Sequence, residues 1–555
     1  MTTPDTSPAT ATPPRRLHPG RILLVALPLL FLGAFFVWPV LSIIATGLAP
    51  EGRLDPAPFG EVLGSSRLLG VAWFTLWQAA ASTALTLLVA LPGAYVFARY
   101  EFPGRRILRA AATVPFVLPT VVVGTAFLAV LGPNGVLGIR LDGTIWAILA
   151  AHVFFNYAVV LRTVGGLWQH LDPRLEEAAR MLGAGRVRTF LTVTLPLLRP
   201  AVAAAASLVF LFTFTSFGVV LILGGPGLTT LEVEIWQRTA VYLDLGVAAA
   251  LAVFQMVGVG AILLAYSRYQ ERRSTEMTLR PAAEVLRRPT TPAQRAVVGG
   301  VLASMALALG GPVAVLVHRS FDTAGGYGLA YFRALGQPGR TGTQIVDPTE
   351  ALGNSVRFAV VAAVVALVIG VAAAAVIAAR RSAASRWFDA LLMLPLGTSA
   401  VTIGFGFLVA LDAPIDLRSS SWLIPIAHSL VAIPFVVRSV VPVMRSVRVR
   451  LREAAAVLGA PPSRVWREID LPIVSRAAVA GGGFALAVSL GEFGATMFVA
   501  RPDTPTLPIA IFRFLGRPGA LNSGRALAMS VLLMAVTMAS VALIERFRAP
   551  GTGEF

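Results

Sequence analysis

Four long apolar runs without Asp, Glu, Lys or Arg, Ile22–Leu48, Val71–Phe97, Ile145–Leu161 and Ala526–Leu543, are each long enough to cross a bilayer. A spanning helix needs about 20 residues at 1.5 Å of rise each. Inside hydrocarbon every backbone N–H and C=O must be paired within the protein, so only helices and closed barrels can cross. The runs lack the apolar–polar alternation of barrel strands. The fold class is therefore an all-α polytopic membrane protein. Composition agrees: 56% of the 555 residues are hydrophobic and 13% charged, against about 25% charged in a soluble domain. Mean hydropathy is +0.76.

The length criterion predicts about twelve spans. They fall near 22–48, 71–98, 108–132, 143–164, 197–222, 245–267, 297–317, 353–379, 388–411, 421–441, 474–499 and 523–544. All 46 basic residues are arginine; the chain has no lysine. They gather in alternate loops: Arg99, Arg105, Arg106 and Arg109; Arg272, Arg273, Arg287 and Arg288; Arg380, Arg381 and Arg386. The opposite loops mix sparse arginine with Asp55, Glu61, Asp322, Asp347 and Asp412. The positive-inside rule makes the arginine-rich side cytoplasmic, with both termini inside. The net charge of +18 is thus a topology signal beside anionic lipid, and it calls for no nucleic-acid partner. The absence of cysteine excludes disulfides, thiolate metal sites and iron–sulfur clusters.

One polar block occurs twice. Glu177-Ala178-Ala179, Gly183 and Val193-Thr194-Leu195-Pro196 return, 276 residues on, as Glu453-Ala454-Ala455, Gly459 and Ile469-Asp470-Leu471-Pro472. At the same offset His152 matches His428, Arg162 matches Arg438, Phe217-Gly218 matches Phe493-Gly494, and Thr230-Leu231 matches Thr506-Leu507. Pro115 and Gly124 match Pro395 and Gly404 at an offset of 280. The chain is thus two parallel six-helix repeats, unlike the inverted repeats of many secondary transporters. The expected division is a disordered cytoplasmic N-terminus (1–20), a first half (21–267), a cytoplasmic linker (268–296), a second half (297–545) and a cytoplasmic tail (546–555).

Each block reads as a short helix closed by a glycine αL cap, then a second short helix entering the next span. Both fall in the arginine-rich, cytoplasmic loops. A compact helical element with an apolar face suits insertion into a partner's groove. The spacing Glu-Ala-Ala, three residues, Gly, nine residues, hydrophobic-x-Leu-Pro resembles the cytoplasmic signature of bacterial ABC importer permeases, with Val193 replacing isoleucine. The fused two-half architecture is similar to the thiamine and ferric-iron branch of that family. Ala151-His152-Val153-Phe154-Phe155-Asn156, Ser216-Phe217-Gly218 with Gly224-Gly225-Pro226, and Leu490-Gly491-Glu492-Phe493-Gly494 resemble the thiamine permeases in particular. The resemblance implies the type I importer permease fold. It implies that Glu177, Ala178, Ala179, Gly183, Glu453, Ala454, Ala455 and Gly459 dock a separate ATP-binding cassette ATPase dimer. It also implies an extracytoplasmic substrate-binding protein, with ATP and Mg held by the ATPase and no cofactor in this chain.

The chain has no phosphate-loop motif, and without lysine it can supply no phosphate-loop lysine. It is read as a permease and not as an enzyme. The expected substrate path includes Ser216, Phe217, Glu492 and Phe493. Glu492 is an ionisable group in an apolar helix, a functional hypothesis by default, with pairing to Arg501 as the alternative. His152 and His428 are expected to be hydrogen-bonding groups at equivalent helix contacts, not metal ligands. Asn156 and Gln255 are expected to bond between helices. Gly124 and Gly404 read as close packing points, and Arg162 and Arg438 as snorkelling side chains. An ion-coupled secondary transporter, an anion permease for molybdate or sulfate, and a membrane-embedded enzyme are the competing readings. The first two lack, respectively, buried charge relays and the usual unfused halves; the third lacks a catalytic constellation.

Overall fold

The structure is a computed structural model, and it describes residues 19–49, 52–133, 135–273, 281–323, 325–337, 347–379, 382–412, 416–447 and 449–547. Most of the expected N-terminal segment and C-terminal tail lie outside these residues. Among the described residues ten helices are long and apolar enough to cross a membrane, including Ser66–Arg99, Ile145–Trp168, Pro348–Ala379 and Leu423–Ser446. Such helices associate in lipid through close packing and interhelical hydrogen bonds. In the linker region a helix runs on to Arg273, a short helix spans Ala282–Val285, and the next long helix begins at Pro292 behind a capping box of Thr291 and Gln294.

Two expected spans, 197–222 and 474–499, are interrupted after Phe214 and Gly491, and two others bend sharply. Residues 108–132 and 388–411 each form a bent pair, Arg105–Val117 with Thr120–Leu131 at 100° and Ala383–Gly397 with Ala400–Ala410 at 96°. The first break falls at Leu118-Pro119, because proline lacks an N–H and pushes the preceding residue out of the helical region. The second falls at Thr398-Ser399, where Ser399 caps the new helix by accepting from Val401 N. Hydropathy averages over such a corner and cannot see it.

Connectivity shows that each bent pair still carries the chain across. The Arg99 guanidinium reaches Glu176 at 2.7 Å, which puts the end of Ser66–Arg99 on the same face as the first repeated block. Ile145–Trp168 arrives at that face, so it starts on the other. Arg105–Leu131 must connect the two faces. In the second half Arg445 donates to Ile377 O at 3.3 Å and fixes the same arrangement. The chain therefore makes about twelve crossings, two of them bent.

The halves are interlocked. The first helix of the chain packs on Pro348–Ala379, and its continuation, Trp38–Leu48, packs on Ala400–Ala410 of the second half. Reciprocally, Pro292–Met305 packs on Ser66–Arg99, and Gly311–Phe321 on Thr120–Leu131 of the first half. The repeat reaches single hydrogen bonds: Leu231 N donates to Thr75 Oγ1 at 2.9 Å, and Leu507 N to Ser355 Oγ at 2.7 Å.

Candidate functional site

The two repeated blocks fold alike. In the first, helix Pro173–Met181 ends at Gly183, with φ +86°, before Arg186–Thr189 and a π-helical turn, Phe190–Thr194. In the second, Val449–Val457 ends at Gly459, with φ +79°, before Pro462–Val465 and the turn Trp466–Asp470. Both glycines close a Schellman cap: Ala184 N donates to Ala179 O and Ala460 N to Ala455 O, each at 3.0 Å. Only glycine adopts that left-handed conformation without strain.

Glu177, Ala178, Glu453 and Ala454 are exposed, and Ala179 and Ala455 half-buried. The tips hold Met181 and Leu182 at 88% and 89% exposure, and Val457 and Leu458 at 87% and 86%. Four apolar side chains so open, on matched polar elements, form the kind of patch that marks an interaction surface. Each element is tied to its half by a charge pair of opposite sense. Glu176 accepts from Arg99 Nη2 at 2.7 Å and from Thr194 Oγ1 at 3.0 Å. At the equivalent positions Arg452 donates to Asp470 at 2.7 Å. Ala379 occupies the second-half position of Arg99, and a cavity of about 440 Å³ opens there, lined by Ala379, Met444, Trp466 and Asp470.

The other expected residues meet between the halves. Helix Leu195–Phe214 stops at Thr215, Ser216 and Phe217 before Gly218–Leu223 begins. Leu471–Gly491 stops at Glu492 and Phe493 before Thr496–Val499. The two breaks face each other, with the Phe217 and Phe493 rings 5.6 Å apart between centroids. Trp236 flanks Phe217 at 6.4 Å, and Phe512 flanks Phe493 at 5.6 Å. Gly218 permits this approach: a Cβ there would lie 3.1 Å from the Phe493 ring and 2.5 Å from Thr120 Oγ1. Phe217 and Phe493 are buried, so the two breaks are in direct contact in this structure.

Polar groups hold the two breaks in place. The His152 ring nitrogens lie 2.8 Å from Ser82 Oγ and from Ser216 Oγ. His428 lies 2.7 Å from Ser489 Oγ and 2.8 Å from Thr496 Oγ1. Both histidines are thus hydrogen-bonding groups, but their contacts are only partly equivalent: Nε2 faces the matched positions Ser216 and Glu492, whereas the Nδ1 partners Ser82 and Ser489 lie on non-equivalent helices. Glu492 is not paired with Arg501, whose guanidinium donates to Arg418 O. Its carboxyl accepts from Ala495 N at 2.9 Å, Thr496 N at 3.0 Å and Thr496 Oγ1 at 2.6 Å, with His428 Nε2 at 3.2 Å. It caps Thr496–Val499 and so fixes Phe493.

Asn156 bonds within its own helix, to His152 O, and not between helices. Its amide sits one turn above a carbonyl it can reach, and that local bond wins. Gln255 does bond between helices, to Glu232. Gly124 and Gly404 are close packing points, since a Cβ would lie 2.9 Å from Ile222 and 2.8 Å from Ala495. Arg438 is paired with Asp389 at 3.6 Å instead of merely snorkelling. Trp236, Phe512 and Glu232 were not among the expected residues. Trp236 and Phe512 stand at the repeat offset of 276, which is a signal the sequence offers.

A model of the family described as "Binding-protein-dependent transport system inner membrane component" matches residues 90–276. The sulfate transport system permease protein of Escherichia coli is 31% identical over 260 residues, covering 46% of this chain and 92% of that protein. The chain belongs to this family. A probable ABC transporter permease protein of Sinorhizobium fredii is 26% identical over 94% of this chain and 95% of its own length. The thiamine transport system permease protein of Brucella abortus is 28% identical over 84% of this chain and 86% of its own length. The protein is a multi-pass permease subunit of an ABC importer. Such subunits are not enzymes, and the ATPase of the system is a separate protein.

Proposed function

We propose that this permease carries thiamine across the inner membrane, driven by a separate ABC ATPase dimer that binds ATP and Mg. The observation that carries the reading is the aromatic cluster of Phe217, Trp236, Phe493 and Phe512 at the junction of the halves. Aromatic faces attract a desolvated organic cation through the ring quadrupole, and thiamine is an aromatic cation. Similarity to thiamine permeases over more than four-fifths of the chain supports the same cargo. Ferric iron, the other cargo the sequence pattern suggested, is named in none of the relatives described above.

The two blocks face the cytoplasm, with both termini on that side, and each receives one ATPase subunit. Glu177 and Glu453 form the charged rim, and Met181, Leu182, Val457 and Leu458 fill apolar grooves of the ATPase. A substrate-binding protein docks on the opposite face and delivers the cargo. ATP binding closes the ATPase dimer and draws the blocks together. The rigid halves rotate, and Phe217 parts from Phe493. Ser216 and Glu492 act as positioning residues for those rings. Hydrolysis resets the closed cluster.

The sulfate permease match favours a second reading, an anion importer. Uptake of labelled thiamine into proteoliposomes holding the permease, its ATPase and its binding protein separates the two. Unlabelled thiamine should compete, while sulfate and ferric iron should not. Competition by sulfate with none by thiamine would overturn the cargo.

A further inference from the structure

We infer that Glu232, with Gln255 and Ser399, forms a single acidic site that receives the positive charge of the cargo beside the aromatic cluster. This deepens the thiamine reading and rests on it.

Glu232 is 0% exposed. Ser399 Oγ donates to its Oε2 at 2.6 Å, and the Gln255 amide donates to Oε1. Both donors are neutral, and among the described residues no cationic side chain approaches the carboxyl. The other buried acids nearby differ. Glu234 is held by Arg67 at 2.8 Å and Arg238 at 3.1 Å, and Glu492 by His428. A buried carboxyl group without a cation is expensive in apolar surroundings and is a functional candidate by default.

The surroundings hold unpartnered polar atoms. Gln255 Oε1 is buried without a partner, and so is Thr402 Oγ1, one turn beyond Ser399. Gln255 Oε1 is an acceptor with nothing to accept beside the carboxyl group, and the Thr402 hydroxyl can accept as well as donate; both suit a cation bearing N–H groups. The site also lies where cargo would pass. Trp236, which packs on Phe217, is one helical turn from Glu232 on Leu231–Ala240. Ser399 belongs to the other half, at the corner of its bent pair. The Ser399–Glu232 bond therefore joins the halves, and their separation frees the carboxyl group as the aromatic rings part.

The repeat shows that the fold does not require this acid. Pro508, Val531 and Pro119 stand at the equivalents of Glu232, Gln255 and Ser399. One half supplies the charge and both supply the rings, which fits one monovalent cargo per cycle.

Thiamine uptake by proteoliposomes of the whole complex tests the assignment in wild type, Glu232→Gln and Glu232→Asp. Gln keeps the shape and can still hydrogen-bond Ser399 and Gln255, so a structural role tolerates it. Co-purification of the ATPase confirms that each variant assembles. Glu232→Gln should raise the thiamine KM about tenfold, while Glu232→Asp should stay within about threefold of wild type. Wild-type KM in Glu232→Gln overturns the site and leaves the cargo standing. Equal loss in both variants assigns a packing role and overturns the site too. A wild type that moves no thiamine overturns the cargo and, with it, this assignment.

Discussion

Glu492 and Glu232 are both buried carboxylic acids in apolar surroundings, and their neighbours separate them. Glu492 has backbone, threonine and histidine partners, so its free energy goes into holding the corner beneath Phe493. Replacing it by alanine should cost about 3 kcal/mol, because several buried donors lose their acceptor. The melting temperature of the purified permease reads this, and Glu492→Gln should fall between the two. Arg99 and Glu176 make a second case, with side chains 4% and 17% exposed. Either substitution to alanine should destabilise by about 3 kcal/mol, since it strands a buried charge. The double variant should lose little more than one single, and additive losses would show that the pair is not coupled. The sequence showed Glu492 as an unusual charge, but its role was illegible. That role depends on His428 and Thr496, which only the folded corner brings to it.

At the scale of elements, the repeated blocks were the most legible part of the chain. Their caps are set by local spacing, so the glycine positions foretold the turns at Gly183 and Gly459. Valine at either position must adopt a strained φ, costing roughly 1–2 kcal/mol, and should misdirect the helix that the glycine closes. The Gly183→Val, Gly459→Val double variant should reach the membrane at normal levels yet fail to co-purify with its ATPase. Retained ATPase at wild-type stoichiometry would separate the caps from docking. The Glu177→Arg, Glu453→Arg variant should likewise lose the ATPase through its reversed rim charge. The bent pairs were illegible for a physical reason. A corner of two residues leaves the mean hydropathy of a 25-residue window almost unchanged, although it turns the helix by 96° or 100°.

Across the whole molecule, the duplication accounts for what is symmetric and also marks what is not. The aromatic cluster obeys the repeat: Phe217 with Trp236 answers Phe493 with Phe512. The Glu232 site and the cavity beside Ala379 break it. The exchange of first helices between halves was hidden from the sequence, since apolar helix faces carry no address for a particular partner. In the proposed cycle these features make one chain a two-armed lever whose arms part at the Phe217–Phe493 contact. In that proposed cycle the two blocks move toward each other when the ATPase closes. Because the chain has no cysteine, Val187→Cys and Ser463→Cys place the only two thiols at equivalent, exposed positions of the two blocks. Spin labels there report the distance between blocks in the assembled complex. That distance should shorten when ATP binds without hydrolysis and return after hydrolysis; a distance indifferent to ATP would contradict the account.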